Sequence, residues 1–282
     1  RFEQVIFDSG KVESRGIDSL AYHPPIPLEP RTRYYWKVRV WGETESAESD
    51  PAWFETAKMD EPWQAEWVTP DWGHTRTQPI LFHEFELPSR AVAARAYLCG
   101  LGLYHAELNG QKVGNEHLTP YCNAYDQWIQ YQTFDITDQL LAGRNLIAVM
   151  LGDGWYMGRY GADRGVSRFY GDRHALICEL RIALENGQEL VIGTDSAWKA
   201  QPSPIVESDI FDGEFYDARI GKTVPAQGDV SNVRPIAIDM ARLEARRSLP
   251  VCIQEEIKPV AVIDTPAGET VLDMGQNMTG WL

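Results

Sequence analysis

The sequence predicts an all-β protein built from tandem β-sandwiches, and three observations carry that prediction. Two Asn-Gly dipeptides, Asn109-Gly110 and Asn186-Gly187, sit between alternating apolar and polar runs, as tight hairpins require. Most remaining segments are short, β-rich and punctuated by Gly or Pro. No succession of long amphipathic helical repeats appears along the chain, so helix-on-helix architecture is excluded. At 282 residues the chain exceeds one typical domain, and two or three modules are expected.

The first module is assigned to residues 1–58. Its key phrase, PLEPRTRYYWKVRVWGE, carries Leu28, Pro30, Thr32 and Tyr34, then the alternating Trp36, Val38 and Val40, and SDPAWFET follows as a last strand. This pattern resembles a fibronectin type III module, in which a corner tyrosine pins a loop through its hydroxyl. The stretch before the phrase is too short for all the strands of such a module, so its N-terminal part is expected to be missing. The chain opens at Arg1 with no Met and ends at Leu282 just after a fresh motif begins, which reads as a piece of something longer.

AKMDEPWQAEWV serves as linker and entry to a second module at 63–225. ILFHEFELP reads as a strand ended by Pro88, and ARAYLCGLGLYHAELNGQKVG as a strand and hairpin. YQTFDITDQLLAGRNLIAVMLG reads as strand, helical turn and buried strand, the turn capped by Thr137 or Asp138 and stopped by Gly143. HALICELRIALENGQELVIGTDSAWKA supplies the second hairpin. A truncated third sandwich is assigned to residues 245–282, through SLPVCIQEEIKPVAVI to VLDMGQNMTGWL.

Charge narrows the functional classes. The chain has 26 basic and 41 acidic residues, a formal charge of -15, which repels phosphate backbones and anionic lipid surfaces. Nucleic acid and membrane are therefore poor partners, and the longest apolar stretch, near Leu146–Leu151, is too short for a bilayer span. Cysteines at 99, 122, 178 and 252 lack the close spacing of a metal site. Cys99 and Cys178 sit in apolar runs, where a thiol acts as a small core residue; this favours a reducing, cytoplasmic compartment.

Two segments concentrate chemistry-bearing residues. IVESDIFDGEFYDARI gathers Glu207, Asp209, Asp212, Glu214 and Asp217, with Arg219 to answer them. On a strand Glu207 and Asp209 share a face about 7 Å apart, within the range of about 6.5 to 9.5 Å that an inverting glycosidase needs. Many solvated strands have such a pair, and an acid also needs an apolar pocket to raise its pKa. The favoured reading is structural or interdomain: Asp212-Gly213 makes a turn, Glu207 and Asp217 face water or pair with Arg219, and Phe211 with Phe215 or Tyr216 anchors the loop in the core. The alternatives are a border to another domain, a cation site and chemistry. DIFDGE lacks the Asp-x-Asp-x-Asp-Gly repeat of a calcium loop, and no metal or cofactor is expected.

The second segment, LGDGWYMGRYGADRGVSRFYGDR, is Gly-rich without the Lys-Ser/Thr of a phosphate loop. Trp155, Tyr156, Arg159, Tyr160 and Arg164 are residue types that stack on sugar rings and grip hydroxyls. Packing of Trp155 and Tyr156 as loop anchors is the competing and preferred account. His83 and His105 fall in strand-like alternation and read as strand-face residues. No Gly-x-Ser-x-Gly elbow or Cys-His nucleophile pairing is present.

GLGLYHAELNGQKVG, WIQYQTFDIT, LGDGWYMGRYG, YGDRHALICEL, TDSAWKA, ESDIFDGEFYDAR and LDMGQNMTGW occur in one order. Together they resemble the N-terminal part of the bacterial α-L-rhamnosidases, an inverting glycoside hydrolase family, over roughly Trp63 to Leu282. The resemblance implies a fibronectin-like domain, one or more jelly-roll sandwiches, an (α/α)6 barrel with the catalytic carboxylates, and a small β-domain. It implies that the barrel lies C-terminal to this chain, so no catalytic residue is carried over. Where some accessory modules of the family hold calcium and rhamnose, this chain has Cys99-Gly-Leu-Gly102 with no side-chain oxygen, and that site is not carried over either. The expected function is thus the non-catalytic N-terminal portion of an enzyme cleaving terminal α-L-rhamnosides. The expected partners are its own C-terminal catalytic domain and, through the whole enzyme, a rhamnose-containing glycoside. The alternative is a free-standing carbohydrate-binding or adhesion sandwich.

Overall fold

A computed structural model describes residues 4–13, 25–72, 77–161, 165–221, 223–226 and 228–280. Among these the chain is almost entirely β. One hydrogen-bonded path runs Leu243–Ala245, Ile129–Asp135, Ala91–Leu101, Ala175–Leu184, Val68–Pro70, Ser231–Pro235, Lys199–Pro202, Pro79–Leu87, Gly143–Gly152, Leu103–Leu108 and Gln111–Lys112, with Glu189–Gly193 added beside Ala175–Leu184. The path folds into two layers, antiparallel except where Leu243–Ala245 pairs parallel with Ile129–Asp135. Ala91–Leu101 and its neighbours form one, and Pro79–Leu87, Gly143–Gly152 and Leu103–Leu108 the other.

Strand alternation explains how the layers pack. Side chains of successive strand residues point to opposite faces, so Ala94, Ala96 and Leu98 enter the core between the layers with Val149, Leu151 and Trp198. Tyr97, Cys99 and Leu101 face the other way, into a second core with Trp67, Tyr125, Ile129 and Tyr131. The Ala91–Leu101 layer is thereby buried on both faces. Each large apolar side chain so buried contributes roughly 1.5–3 kcal/mol.

Both Asn-Gly hairpins form. Asn109 and Gly110 take φ of 54° and 76° between Leu103–Leu108 and Gln111–Lys112, and Gly187 takes 83° between Ala175–Leu184 and Glu189–Gly193. The expected helical turn shrinks to a 3₁₀ turn, Thr137–Gln139, and its caps differ from expectation. Ile136 precedes it, while Gly143 opens the next strand. Thr137 is drawn elsewhere, its hydroxyl accepting from Ala94 N at 2.9 Å and donating to Asp135 at 2.6 Å.

In the N-terminal module Arg33–Trp36 pairs with Ala52–Glu55, and Arg39–Trp41 with Ser46–Glu48. The Tyr34 hydroxyl accepts from Glu29 N at 2.7 Å, the loop pin its motif predicts. Beyond residue 225 the sheet path continues through Ser231–Pro235 and Leu243–Ala245. The following residues are tied down by Gln130, whose side-chain oxygen accepts from Arg247 N at 3.0 Å. Ala261–Asp264 and Thr270–Asp273 form a hairpin exposed on both faces.

The linker is anchored by a buried charge. Lys58 is 1% exposed and donates to Glu179 at 2.5 Å, with the Trp63 ring 5.0 Å from its ammonium. Burial pulls the Lys58 amine below its usual pKa while Glu179 acts against that pull. Burial pushes Glu179 up, but Lys58, Arg181 and the Gln64 N–H together hold it below the ordinary carboxylate value.

Candidate functional site

Two neighbouring loop elements bring most of the sequence-predicted residues together. The buried strand Gly143–Gly152 ends in the short turn Gly154–Met157, then Arg159–Tyr160 pairs with Val166–Ser167. Against this packs the hairpin of Ile205–Asp209 and Gly213–Tyr216, turned at Gly213 with φ of 85°.

Asp209 is the pin between the two. Its Oδ2 accepts from Arg159 N at 2.6 Å, and its Oδ1 accepts from Phe211 N at 2.8 Å and Asp212 N at 3.1 Å. Burial raises the Asp209 carboxyl, but these three N–H donors outweigh it and leave its pKa below the ordinary value. Arg159 grips Asp212 through Nε at 3.1 Å and an outer nitrogen at 2.7 Å, and its guanidinium lies 5.0 Å from the Phe211 ring. That bidentate bond raises the Arg159 pKa. Asp217 pairs with Arg219 at 2.6 Å, a contact that lowers its pKa to about 2. Gly158 is required at this junction, because a Cβ there would lie 2.3 Å from Gly154 O and 2.8 Å from Asp209 Oδ2.

Trp155 and Tyr156 are partly buried against the second core. Tyr156 meets Tyr125 edge-on at 5.1 Å, and burial raises its pKa. Beyond them Tyr160 stacks on Phe169 at 5.9 Å, both exposed. Glu214 stands exposed on the outer strand of the hairpin, where it pairs with Ser208. Arg164 lies outside the described residues. His83 stacks on Trp198 at 5.6 Å, and His105 is exposed beside Glu107.

Asp209 and Asp217 do not suit general acid catalysis. A protonated acid at neutral pH needs a raised pKa, whereas Asp209 and Asp217 are lowered. Glu207 and Asp209 do lie on one regular strand stretch, pairing with Phe215 and Gly213 beyond a register shift between Ile205 and Glu207. One expectation is corrected outright: Phe211, Phe215 and Tyr216 are 46%, 60% and 41% exposed and do not anchor the loop in the core. The hydrogen bonds of Asp209 hold the loop, leaving those rings outside. The sequence also missed Arg159 as the partner of Asp212. The two are 53 residues apart, and no local pattern links them.

Fold and loops together define a multi-module β-sandwich protein whose acidic cluster braces loops. Residues 89–255 match the family described as α-L-rhamnosidase N-terminal domain, and residues 2–60 match one described as Rha78A-like, N-terminal immunoglobulin domain. The first match covers more than half of the chain, and the chain belongs to the α-L-rhamnosidase N-terminal domain family. Immunoglobulin and fibronectin type III modules share the sandwich architecture expected for residues 1–58.

An α-L-rhamnosidase of Formosa agariphila is 30% identical over an alignment covering 98% of this chain and 33% of the relative. One of Streptomyces avermitilis is 36% identical over 85% of this chain and 25% of the relative. Among solved structures, native α-L-rhamnosidase of Aspergillus terreus superposes with a TM-score of 0.81 at 33% identity, covering 92% of this chain and 32% of that one. The α-L-rhamnosidase of Dictyoglumus thermophilum gives 0.74 at 29% identity, over 90% and 30%. The chain thus spans a quarter to a third of the curated relatives it matches.

Proposed function

We propose that this chain is the non-catalytic N-terminal portion of an α-L-rhamnosidase acting on terminal α-L-rhamnosides. Its sandwiches support or border a catalytic domain supplied by residues outside the 282 described by this sequence. The observation that carries the reading is the family match over residues 89–255, joined to the fact that each relative is about three to four times the length matched. The lowered carboxyls of Asp209 and Asp217 fit a supporting role. In the same proposal the modules are residues 1–58, 63–225 and 245–282, the second gaining sheet strands from the chain beyond 225.

Trp155, Tyr156, Arg159, Asp209, Asp212 and Glu214 are proposed as the cluster that shapes the domain border. Trp155 and Tyr156 seat the loop, Asp209 and the Arg159–Asp212 pair fix the hairpin to it, and Glu214 with the exposed Phe211, Phe215 and Tyr216 offers the contact face. The test is turnover of p-nitrophenyl α-L-rhamnoside. The protein encoded by the whole gene is expected to release p-nitrophenol and residues 1–282 alone to stay at the buffer blank. Turnover by the isolated segment refutes the reading, as does an inactive whole protein.

A further inference from the structure

A cleft of about 440 Å³ opens where the N-terminal module meets the sandwich, lined in part by Arg31, Arg33, Glu55, Arg95, Tyr97 and Arg181. Its floor is one face of two adjacent strands, Ala91–Leu101 and Ala175–Leu184. There Arg95 lies opposite Arg181, and Tyr97 opposite Glu179. Like charges directly opposite on neighbouring strands repel, so each guanidinium needs an answering anion.

All four have one, though not equally. Arg95 holds Glu55 through two nitrogens at 2.6 and 2.9 Å and also meets Asp135 at 2.9 Å. Arg31 holds Glu61 at 2.6 and 3.0 Å, and Arg33 reaches Glu55 at 3.2 Å. Arg181 is different. Only its Nε is engaged, at 2.8 Å to a Glu179 oxygen that also takes Lys58, and its two outer nitrogens have no partner among the described residues. Beside it the Tyr97 hydroxyl, on a fully buried side chain, has no hydrogen-bond partner among the described residues. A buried polar group left unmatched is rare and calls for an occupant.

Each unmatched group can donate a hydrogen bond, the Tyr97 oxygen being able to accept as well. Arg181 presents a planar fork and Tyr97 an O–H, so the complementary ligand brings acceptors, and a guanidinium fork suits the two coplanar oxygens of a carboxylate. Four arginines line the cleft against two carboxylates, Glu55 and Glu189, within a chain of net charge -15. An anion is therefore drawn to this opening and repelled by the surface around it. The cleft volume matches small-molecule pockets.

We propose that this interdomain cleft binds a small hydroxylated carboxylate of monosaccharide size, held by the Tyr97 hydroxyl and the outer nitrogens of Arg181. The site is independent of rhamnoside hydrolysis, so its test reads binding and not turnover. Titration calorimetry on the purified protein with glucuronate, glucose and inorganic phosphate separates the cases. Glucuronate is expected to bind, glucose to give no heat, and phosphate to bind at least tenfold more weakly. Tyr97→Phe keeps the ring and loses no protein hydrogen bond, so its urea midpoint does not fall below the parent's while glucuronate affinity drops about tenfold. Arg181→Lys keeps a charge beside Glu179 and loses the fork, with a similar drop. Absence of glucuronate heat, which leaves the hydroxyl to water alone, overturns the proposal. Equal affinity for glucose or phosphate, or undiminished binding by Tyr97→Phe, does the same.

Discussion

Asp209 holds three backbone N–H groups from two loops, so its removal strands donors that the turn cannot satisfy otherwise. Asp209→Ala is expected to lower stability by about 1–2 kcal/mol, read as a reduced urea midpoint; an unchanged midpoint would make Asp209 a bystander. Gly158→Ala is expected to cost about 1–3 kcal/mol, because the new methyl meets a backbone carbonyl 2.3 Å away. Calorimetric melting checks it, and a wild-type melting temperature contradicts the steric account. The acidic residues of this cluster were legible in the sequence as a group. Their pairing was not, since Arg159 arrives from 53 residues away on a strand end whose direction only the folded sheet defines. Their exposed aromatic neighbours misled for a related reason. Phe and Tyr are usually core residues, and only the short solvent-side hairpin shows that Phe211 and Phe215 have no core to enter.

At the scale of elements, the linker is fastened through charge. Lys58→Met leaves Glu179 buried with Arg181 and the Gln64 N–H alone, and breaking such a pair costs about 3–5 kcal/mol. The double variant Lys58→Met, Glu179→Leu is expected to recover much of the loss, and a double variant as unstable as the single one refutes the ion-pair account. Acid acts on the same junction. Glu55 is held low by hydrogen bonding to Arg95, Glu61 by Arg31, and Glu179 by Lys58 and Arg181 against its burial. Carboxyls with depressed folded pKa values stabilise the fold above the unfolded value, here 4.5, and that stabilisation is lost as pH falls through the lowered values. Melting temperature should therefore hold from pH 7 to about 5 and decline below it; a flat profile down to pH 3 contradicts the assignment. Asn-Gly turns and the Tyr34 corner could be read directly, because each encodes a backbone conformation within a few residues. The Thr137 turn could not, since a contact to Ala94 across the sheet took the hydroxyl expected to cap it.

The molecule as a whole is a layered β-structure in which one sheet is covered on both sides: by the partner sheet, and by the linker tryptophans with Trp155, Tyr156 and Tyr170. Asp209 ties the 205–216 hairpin to Arg159 beside that covering, making a shelf that carries exposed Phe211, Phe215 and Tyr216. The order of seven phrases made the family legible from sequence, whereas the shelf required the fold. Amide hydrogen exchange across residues 205–216 compares residues 1–282 with the protein encoded by the whole gene. If the shelf borders the catalytic domain, those amides exchange at least tenfold more slowly in the longer protein. Identical exchange in the two, with the longer protein active on the rhamnoside, would show that the catalytic domain does not rest there.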